Sequence, residues 1–396
     1  MSSNRQHRVR SRLVHMGRQT GEGPRPVNPA VIRASTYLHQ STAEMRELER
    51  ERAAGRRTNL YGRRGTDTNF ALEDALITLE GGVGSRLTSS GLAANTLVFL
   101  SYARPGSHVV ISDGVYAPVR RFAKRVLAEF GVAYSFACAD GSDLESKLRD
   151  NTSLVYWEMP GSVLFEIADL PRISALAVRS NAIVAVDNTW GSALHYHPLA
   201  LGADVSMISA TKYLCGHSDI LLGAVVANER AWPALNDMAE WIGLSASADD
   251  AYGILRGMRT LAVRLGAHEA QAKELITWFR KQPFVARAFY PPAKDHPSHG
   301  LWRRDFSGAC GLFTIEFQPG LDAEVEAFVD QLTLFGLGSS WGGYESLARL
   351  EAGRSLRDVS PGPIGPIVRF HAGFEDIDDL VSDLDAASGA LRRTRS

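Results

Sequence analysis

The strongest constraint on how this chain can fold is an alternation of two kinds of segment. "SHVVISD" (107–113), "VAYSFA" (132–137), "TSLVYWEM" (152–159), "NAIVAVDNT" (181–189), "ADVSMISA" (203–210) and "ILLGAVVAN" (220–228) are short and apolar at nearly every position. Segments of helical period, such as "PVRRFAKRVLAEFG" and "DLPRISALAVRS", separate most of them. A strand that is apolar on both sides has to be covered on both faces, and an intervening helix brings the chain back so that consecutive strands run parallel. The pattern predicts an α/β fold with a mostly parallel sheet between two layers of helices. Upstream, "FALEDALITLEGG" reads as a helix stopped by a Gly pair, "SRLTSS" as a strand and "GLAANTLVFLSYA" as the helix after it.

At 396 residues the chain exceeds one ordinary core. Three parts are expected. Residues 1–65, rich in Arg, Gly and Pro, form an N-terminal arm with one charged helix at "STAEMRELERERAAG"; such an arm reaches a neighbouring subunit more readily than it packs on its own chain. Residues 66–255 carry the large sheet. Residues 256–396 form a smaller α+β domain, entered through a long helix or helix pair ("LRGMRTLAVRLGAHEAQAKELITWFRKQ"), with "CGLFTIEF" and "PIVRFHAG" as strands.

Lys and Arg total 43 against 44 Asp and Glu, so no basic excess points to nucleic acid. No apolar run approaches the ~18 residues of a membrane span, and the arginine-rich first dozen residues (Arg5, Arg8, Arg10, Arg12) precede no apolar core of a secretory signal. Three cysteines (Cys138, Cys215, Cys310) without CxxC spacing argue against a disulfide framework or a zinc site, and fit a reducing cytoplasm with each as a small buried residue.

In open α/β sheets ligands sit beyond the carboxyl ends of the strands, and four groups fall there. "SSGLAA" (89–94) joins a strand to a helix; it serves either as a plain cap or as an anion site made of free N–H groups at the positive helix end. Asp187 closes "AIVAVD", as a structural partner or as a functional carboxylate. Tyr116 follows "HVVISDGV". Lys212 follows "VSMISAT", flanked by hydroxyls where a solvated lysine would need none. Together they make one inventory: a lysine whose amine burial keeps neutral enough to form a Schiff base, a carboxylate for a ring nitrogen, an aromatic to stack on the ring, and "SSG" (Ser89, Ser90, Gly91) with Ser209 and Thr211 around a phosphate. Pyridoxal 5'-phosphate requires that set.

The run "DVSMISATKYLCGHS" (204–218) resembles the cofactor-attachment signature of the Cys/Met-metabolism pyridoxal-phosphate enzymes, and "YGRRGTDTNFALEDALITLEGG", "DNTWGS", "DAYGILRGMRTLAVRL", "WGGYESL" and "RFHAGFEDIDDL" extend the likeness over nearly the whole chain. The resemblance implies the aspartate aminotransferase fold (fold type I): a mostly parallel seven-stranded sheet with helices on both faces and a smaller C-terminal α+β domain. It further implies Lys212 as attachment lysine and proton shuttle, Asp187 on the pyridine nitrogen and Tyr116 on the ring. Ser90, Gly91, Leu92, Ser209 and Thr211 would surround the phosphate. Tyr61 and Arg63 would reach the site of the neighbouring subunit in a dimer, itself doubled to a tetramer. Arg369, beside Ser340 and Trp341, would clamp the substrate α-carboxylate; taken alone it is equally a solvated strand-end charge.

Within the family, "YGRRGT", "GHSD" and "WGGYESL" lean to the cystathionine β-lyase branch. The implied activity is a carbon–sulfur β-lyase giving a thiol, pyruvate and ammonia from cystathionine or a related cysteine S-conjugate. The alternatives are γ-synthase or γ-lyase chemistry, a C–S lyase of specialised metabolism, or a pyridoxal-binding regulator. Ser339 stands where that branch carries an aromatic, Met159 where a small hydroxyl is usual, and Ala372 and Phe374 also depart. Ser339 and Ala372 are expected to reshape the substrate side of the pocket.

Overall fold

A computed structural model describes residues 7–18 and 23–392; Arg5 and the remainder of the expected arm (1–6, 19–22) lie outside the described residues. The large sheet has seven strands: β1 Gly84–Thr88, β2 His108–Ser112, β3 Ala133–Ala137, β4 Thr152–Glu158, β5 Ile183–Asp187, β6 Val205–Ser209 and β7 Gly223–Ala227. Their order is β1-β7-β6-β5-β4-β2-β3. The pairs from β3 through β6 are parallel, whereas β7 runs antiparallel to both β6 and β1. The cause is the connection. β3, β4 and β5 each leave through a helical segment, but β6 passes to β7 through turns alone, so the chain simply doubles back.

Every residue of β2 and β7 is buried, as the unbroken apolar runs require. One face is covered by helix Gly91–Tyr102, whose Leu97, Val98 and Phe99 are fully buried, each contributing roughly 1.5–3 kcal/mol by removal from water. Phe99 meets Tyr156 of β4 at 4.9 Å between ring centroids. The predicted helix after β2 runs Ala117–Phe122 and continues through a wider π turn at 123–127.

The arm is less irregular than its composition suggests. Helix Val9–His15 buries Leu13, and helix Thr42–Ala53, capped by the Ser41 hydroxyl on the Glu44 N–H, buries no residue. The C-terminal sheet contains β8 Val285–Phe289, β9 Leu312–Phe317, β10 Gly336–Leu337, β11 Leu347–Glu351 and β12 Ile367–His371, in the order β10-β11-β12-β9-β8. It packs on the second of the two helices that the 255–282 segment forms, Ala248–Met258 and Leu261–Arg280, where Phe279 meets Phe370 at 5.0 Å. Cys215 and Cys310 are buried as expected, whereas Cys138 is only half-buried.

Between β11 and β12 the chain crosses back to the large sheet. The N–H groups of Asp358, Val359 and Ser360 donate to the Asp113 carboxylate just beyond β2, and Arg120 donates to the same carboxylate at 2.7 Å. Those four donors hold the Asp113 carboxyl below the usual aspartate range although burial pushes it the other way. Arg357 forks onto Glu166 and the Ser162 carbonyl.

Candidate active site

The carboxyl ends of β1, β4, β5 and β6 open into a cavity of ≈ 220 Å³, closed on the far side by residues of the C-terminal domain. Its lining contains Ser90, Gly91, Leu92, Tyr116, Asp187, Ser209, Thr211, Lys212, Trp341 and Arg369.

Lys212 directly follows Thr211, in the turn between β6 and β7. Its Nζ donates to Ser340 Oγ at 2.8 Å and lies 5.4 Å from the centre of the Trp341 ring. Burial, with the positive charge of Arg369 acting in the same direction, lowers its pKa to about 8; Asp187 opposes them. A lysine in that state holds a far larger neutral fraction near pH 7 than a solvated lysine does.

Asp187 ends β5, buried. Its Oδ1 accepts from the Thr189 N–H (3.0 Å) and hydroxyl (2.5 Å), while burial pushes the carboxyl above the usual range. Thr189 thus fixes one oxygen. A cation facing the carboxyl would favour its ionised form.

Ser90 caps helix Gly91–Tyr102, its hydroxyl accepting from Ala93 N–H at 3.2 Å. The N–H groups of Gly91 and Leu92 begin the helix ahead of its hydrogen-bond ladder and remain for an anion. Gly91 is dictated by space: a Cβ there would lie 2.6 Å from Ser209 Cβ and Oγ. The Thr211 hydroxyl is committed to the Leu222 backbone, accepting its N–H at 2.9 Å and donating to its carbonyl at 3.2 Å.

Tyr116 is half-exposed at the rim, and its N–H donates to Glu158 Oε2 at 2.6 Å. Arg369, in β12, is buried; its Nη2 donates to the Ser339 carbonyl at 3.1 Å. The solvated strand-end alternative for Arg369 therefore does not hold.

Tyr61 and Arg63 do not line this cavity in their own chain. They lie exposed on the arm, Arg63 donating to the Glu240 carbonyl at 3.3 Å. Ser340 reaches the site through Lys212. Of the departures, Ser339 lines the cavity, but the expectation for Ala372 was wrong. Ala372 is buried, and its carbonyl accepts from His268 Nδ1 at 2.7 Å, so it faces core and not substrate. Met159 and Phe374 also stay outside, on the Tyr196 hydroxyl and the His268 ring respectively.

Among the lining residues that sequence reasoning missed are the polar Asn95, Glu158 and Thr189. Glu158 ends β4 directly beside Asp187 in the parallel register, and burial together with that neighbour pushes its carboxyl well above the usual range. Both lie at strand ends, a signal that would have found Glu158.

The glycine-floored anion cradle at a helix start, the amine held near neutrality and the buried carboxylate together fit pyridoxal phosphate. The fold and this cavity define a pyridoxal-phosphate-dependent enzyme of the aspartate aminotransferase type. Residues 10–388 match the family of Cys/Met metabolism PLP-dependent enzymes, and the chain belongs to that family. It is 42% identical over 394 residues to the cystathionine beta-lyase of Bordetella avium (98% of this chain, 99% of that one). It is 39% identical over 385 residues to the cystathionine beta-lyase MetC of Escherichia coli strain K12 (95% and 97%). The solved structure of cystathionine gamma synthase from Xanthomonas oryzae pv. oryzae, in complex with aminoacrylate and cysteine, superimposes with a TM-score of 0.87 at 30% identity, covering 98% of this chain and 99% of that one. Among the described residues no helix is long and apolar enough to cross a membrane.

Proposed function

We propose that the chain is a carbon–sulfur β-lyase that cleaves cystathionine with water to homocysteine, pyruvate and ammonia. The observation that carries this reading is a buried lysine, Lys212, whose pKa burial lowers to about 8, sharing one cavity with a buried guanidinium, Arg369. A base and an α-carboxylate receptor are what α-proton removal from an amino acid demands. The relatives named cystathionine beta-lyase, matched over nearly their full length, supply the substrate.

When bound through Lys212, pyridoxal phosphate supplies an electron sink for the pair released at Cα. Asp187 holds the proton on the ring nitrogen. The N–H groups of Gly91 and Leu92, with Ser90 and Ser209, would hold the phosphate, and Tyr116 would cover the ring. Arg369 takes the α-carboxylate as a bidentate pair, for which a planar guanidinium is suited. Lys212, as a neutral amine, would take the Cα proton, and Lys212 or Tyr116 would return a proton to the departing sulfur. Such general acid–base help is commonly worth ~10²–10⁴-fold.

The arm completes the site in a dimer: Tyr61 and Arg63, exposed and outside their own cavity, serve the neighbouring subunit, and two dimers form a tetramer. The division at about residues 65 and 255, and a cytoplasmic location, belong to the same reading.

Incubation with cystathionine and identification of the keto acid tests the proposal. Pyruvate is expected. 2-Oxobutyrate would favour the second reading, γ-elimination or replacement, which the likeness to a cystathionine gamma synthase supports. No keto acid would transfer the activity to another cysteine S-conjugate, a reading supported by the small Ser339 in the wall.

A further inference from the structure

Arg369 has a second carboxylate at its back. Its Nη1 lies 3.3 Å from Glu351 Oε1, and both side chains are less than a tenth exposed. β11 and β12 are antiparallel with Arg349 directly opposite Arg369, so Glu351, two residues along β11, approaches diagonally. Arg349 Nε lies 3.7 Å from the same Glu351 oxygen but is far more exposed, at 43%.

Glu351 Oε1 is buried and accepts no hydrogen bond. Its hold on Arg369 is therefore Coulombic and not directional; orientation comes from the Ser339 carbonyl and from β12 itself. Arg369 lines the Lys212 cavity and Glu351 does not. The charge that Arg369 presents to an incoming carboxylate is what remains after Glu351 has offset part of it, in surroundings of low dielectric where such offsets are large.

We propose that Glu351 is a positioning residue of the α-carboxylate receptor, acting through Arg369 to set how tightly the site holds an amino acid. This rests on the reading of Arg369 as that receptor. Glu351 makes the receptor weaker than a lone buried guanidinium, so that the amino-acid substrate is held moderately. Arg349 shares the Glu351 carboxylate and sets how much of its charge reaches Arg369.

The test is an equilibrium titration of the holoenzyme with glycine, which has the carboxylate but nothing to eliminate, and with glycinamide, which lacks the carboxylate, read from the visible absorption of the bound cofactor. Glu351→Gln keeps the side-chain shape and removes the charge. It should bind glycine about three- to tenfold more tightly with glycinamide unchanged, and lower KM for the thioether substrate with kcat unchanged. Arg349→Gln should act in the opposite direction, weakening glycine binding, and decides the matter if the first variant fails to fold. Glycine affinity within twofold of wild type in the folded variants, or glycine and glycinamide shifting together, would overturn the proposal. The titration involves no turnover and so reads whether or not cystathionine is cleaved. A wild-type enzyme that holds glycine no better than glycinamide would instead remove Arg369 as receptor, and Glu351 with it.

Discussion

Lys212 Nζ donates to Ser340 Oγ at 2.8 Å, and that bond joins the turn between β6 and β7 to the segment preceding β11. The neighbour of Ser340, Ser339, gives its carbonyl to Arg369. Lys212 and Arg369, the proposed base and carboxylate receptor, are thus both anchored on one dipeptide of the C-terminal domain.

Lys212→Ala should lose the cofactor's visible colour and at least ~10²–10⁴-fold in turnover, with folding intact. Absorption spectroscopy and pyruvate release measure the two effects. Full retained activity would remove Lys212 from the reaction.

In protein stripped of cofactor, the neutral fraction of Lys212 rises as pH passes through about 8, not near the ~10.4 of an ordinary lysine. Stopped-flow capture of added pyridoxal phosphate should therefore accelerate across that pH and level off above it. Arg369→Gln removes one of the two influences lowering the pKa and should shift the rise upward. The unfolded lysine holds its proton more tightly, so the contribution of this group to stability grows with pH between those values.

Glu80 is buried under β5, with Oε1 accepting from Asn188 at 2.9 Å and Oε2 lacking a partner. Burial pushes its carboxyl up to about 7. The folded state binds this proton more tightly than the unfolded one, so its contribution is complete below the ordinary glutamate range and is lost as pH rises through 7. Glu80→Gln should leave the melting temperature at pH 4 nearly unchanged and raise stability at pH 8 by about 1–3 kcal/mol. Melting curves at the two pH values decide it. Equal shifts at both would mean that the carboxyl does not titrate there.

Gly91→Ala places a methyl 2.6 Å from Ser209. Overpacking of this kind costs about 1–3 kcal/mol, and here it also displaces a wall of the proposed phosphate cradle. Weaker retention of pyridoxal phosphate on dialysis should accompany the lower melting temperature. Wild-type retention would put the phosphate elsewhere.

If Tyr61 serves the neighbouring subunit, Lys212→Ala and a Tyr61 variant inactive by itself should rescue each other. After subunit exchange of equal amounts, mixed dimers carry one intact site, giving about a quarter of wild-type activity. No recovery despite proven exchange would confine each site to one chain.

The large sheet was legible because its strands are apolar on both faces, and Asp187, Ser209 and Lys212 because they stand where such runs stop. The reversal of β7 was present in the sequence as a missing helix between "VSMISA" and "LLGAVV" but is not a matter of periodicity. Ala372 was misassigned because its residue type says nothing about which side of β12 the chain leaves by. Glu351 was invisible for another reason: its partner is diagonal across two strands that the sequence separates by a long excursion. For Tyr61 and Arg63 the proposed partner lies on a second chain, for which a single sequence carries no pattern.

The excursion from β11 to β12 that grips Asp113 has a practical corollary for dissecting the molecule. A cut in the linker between helices Ala248–Met258 and Leu261–Arg280 would sever the polypeptide without severing this clasp. Two such fragments, expressed together, would carry their own means of finding each other and of re-forming the cavity, which makes that linker a natural place to build a split reporter.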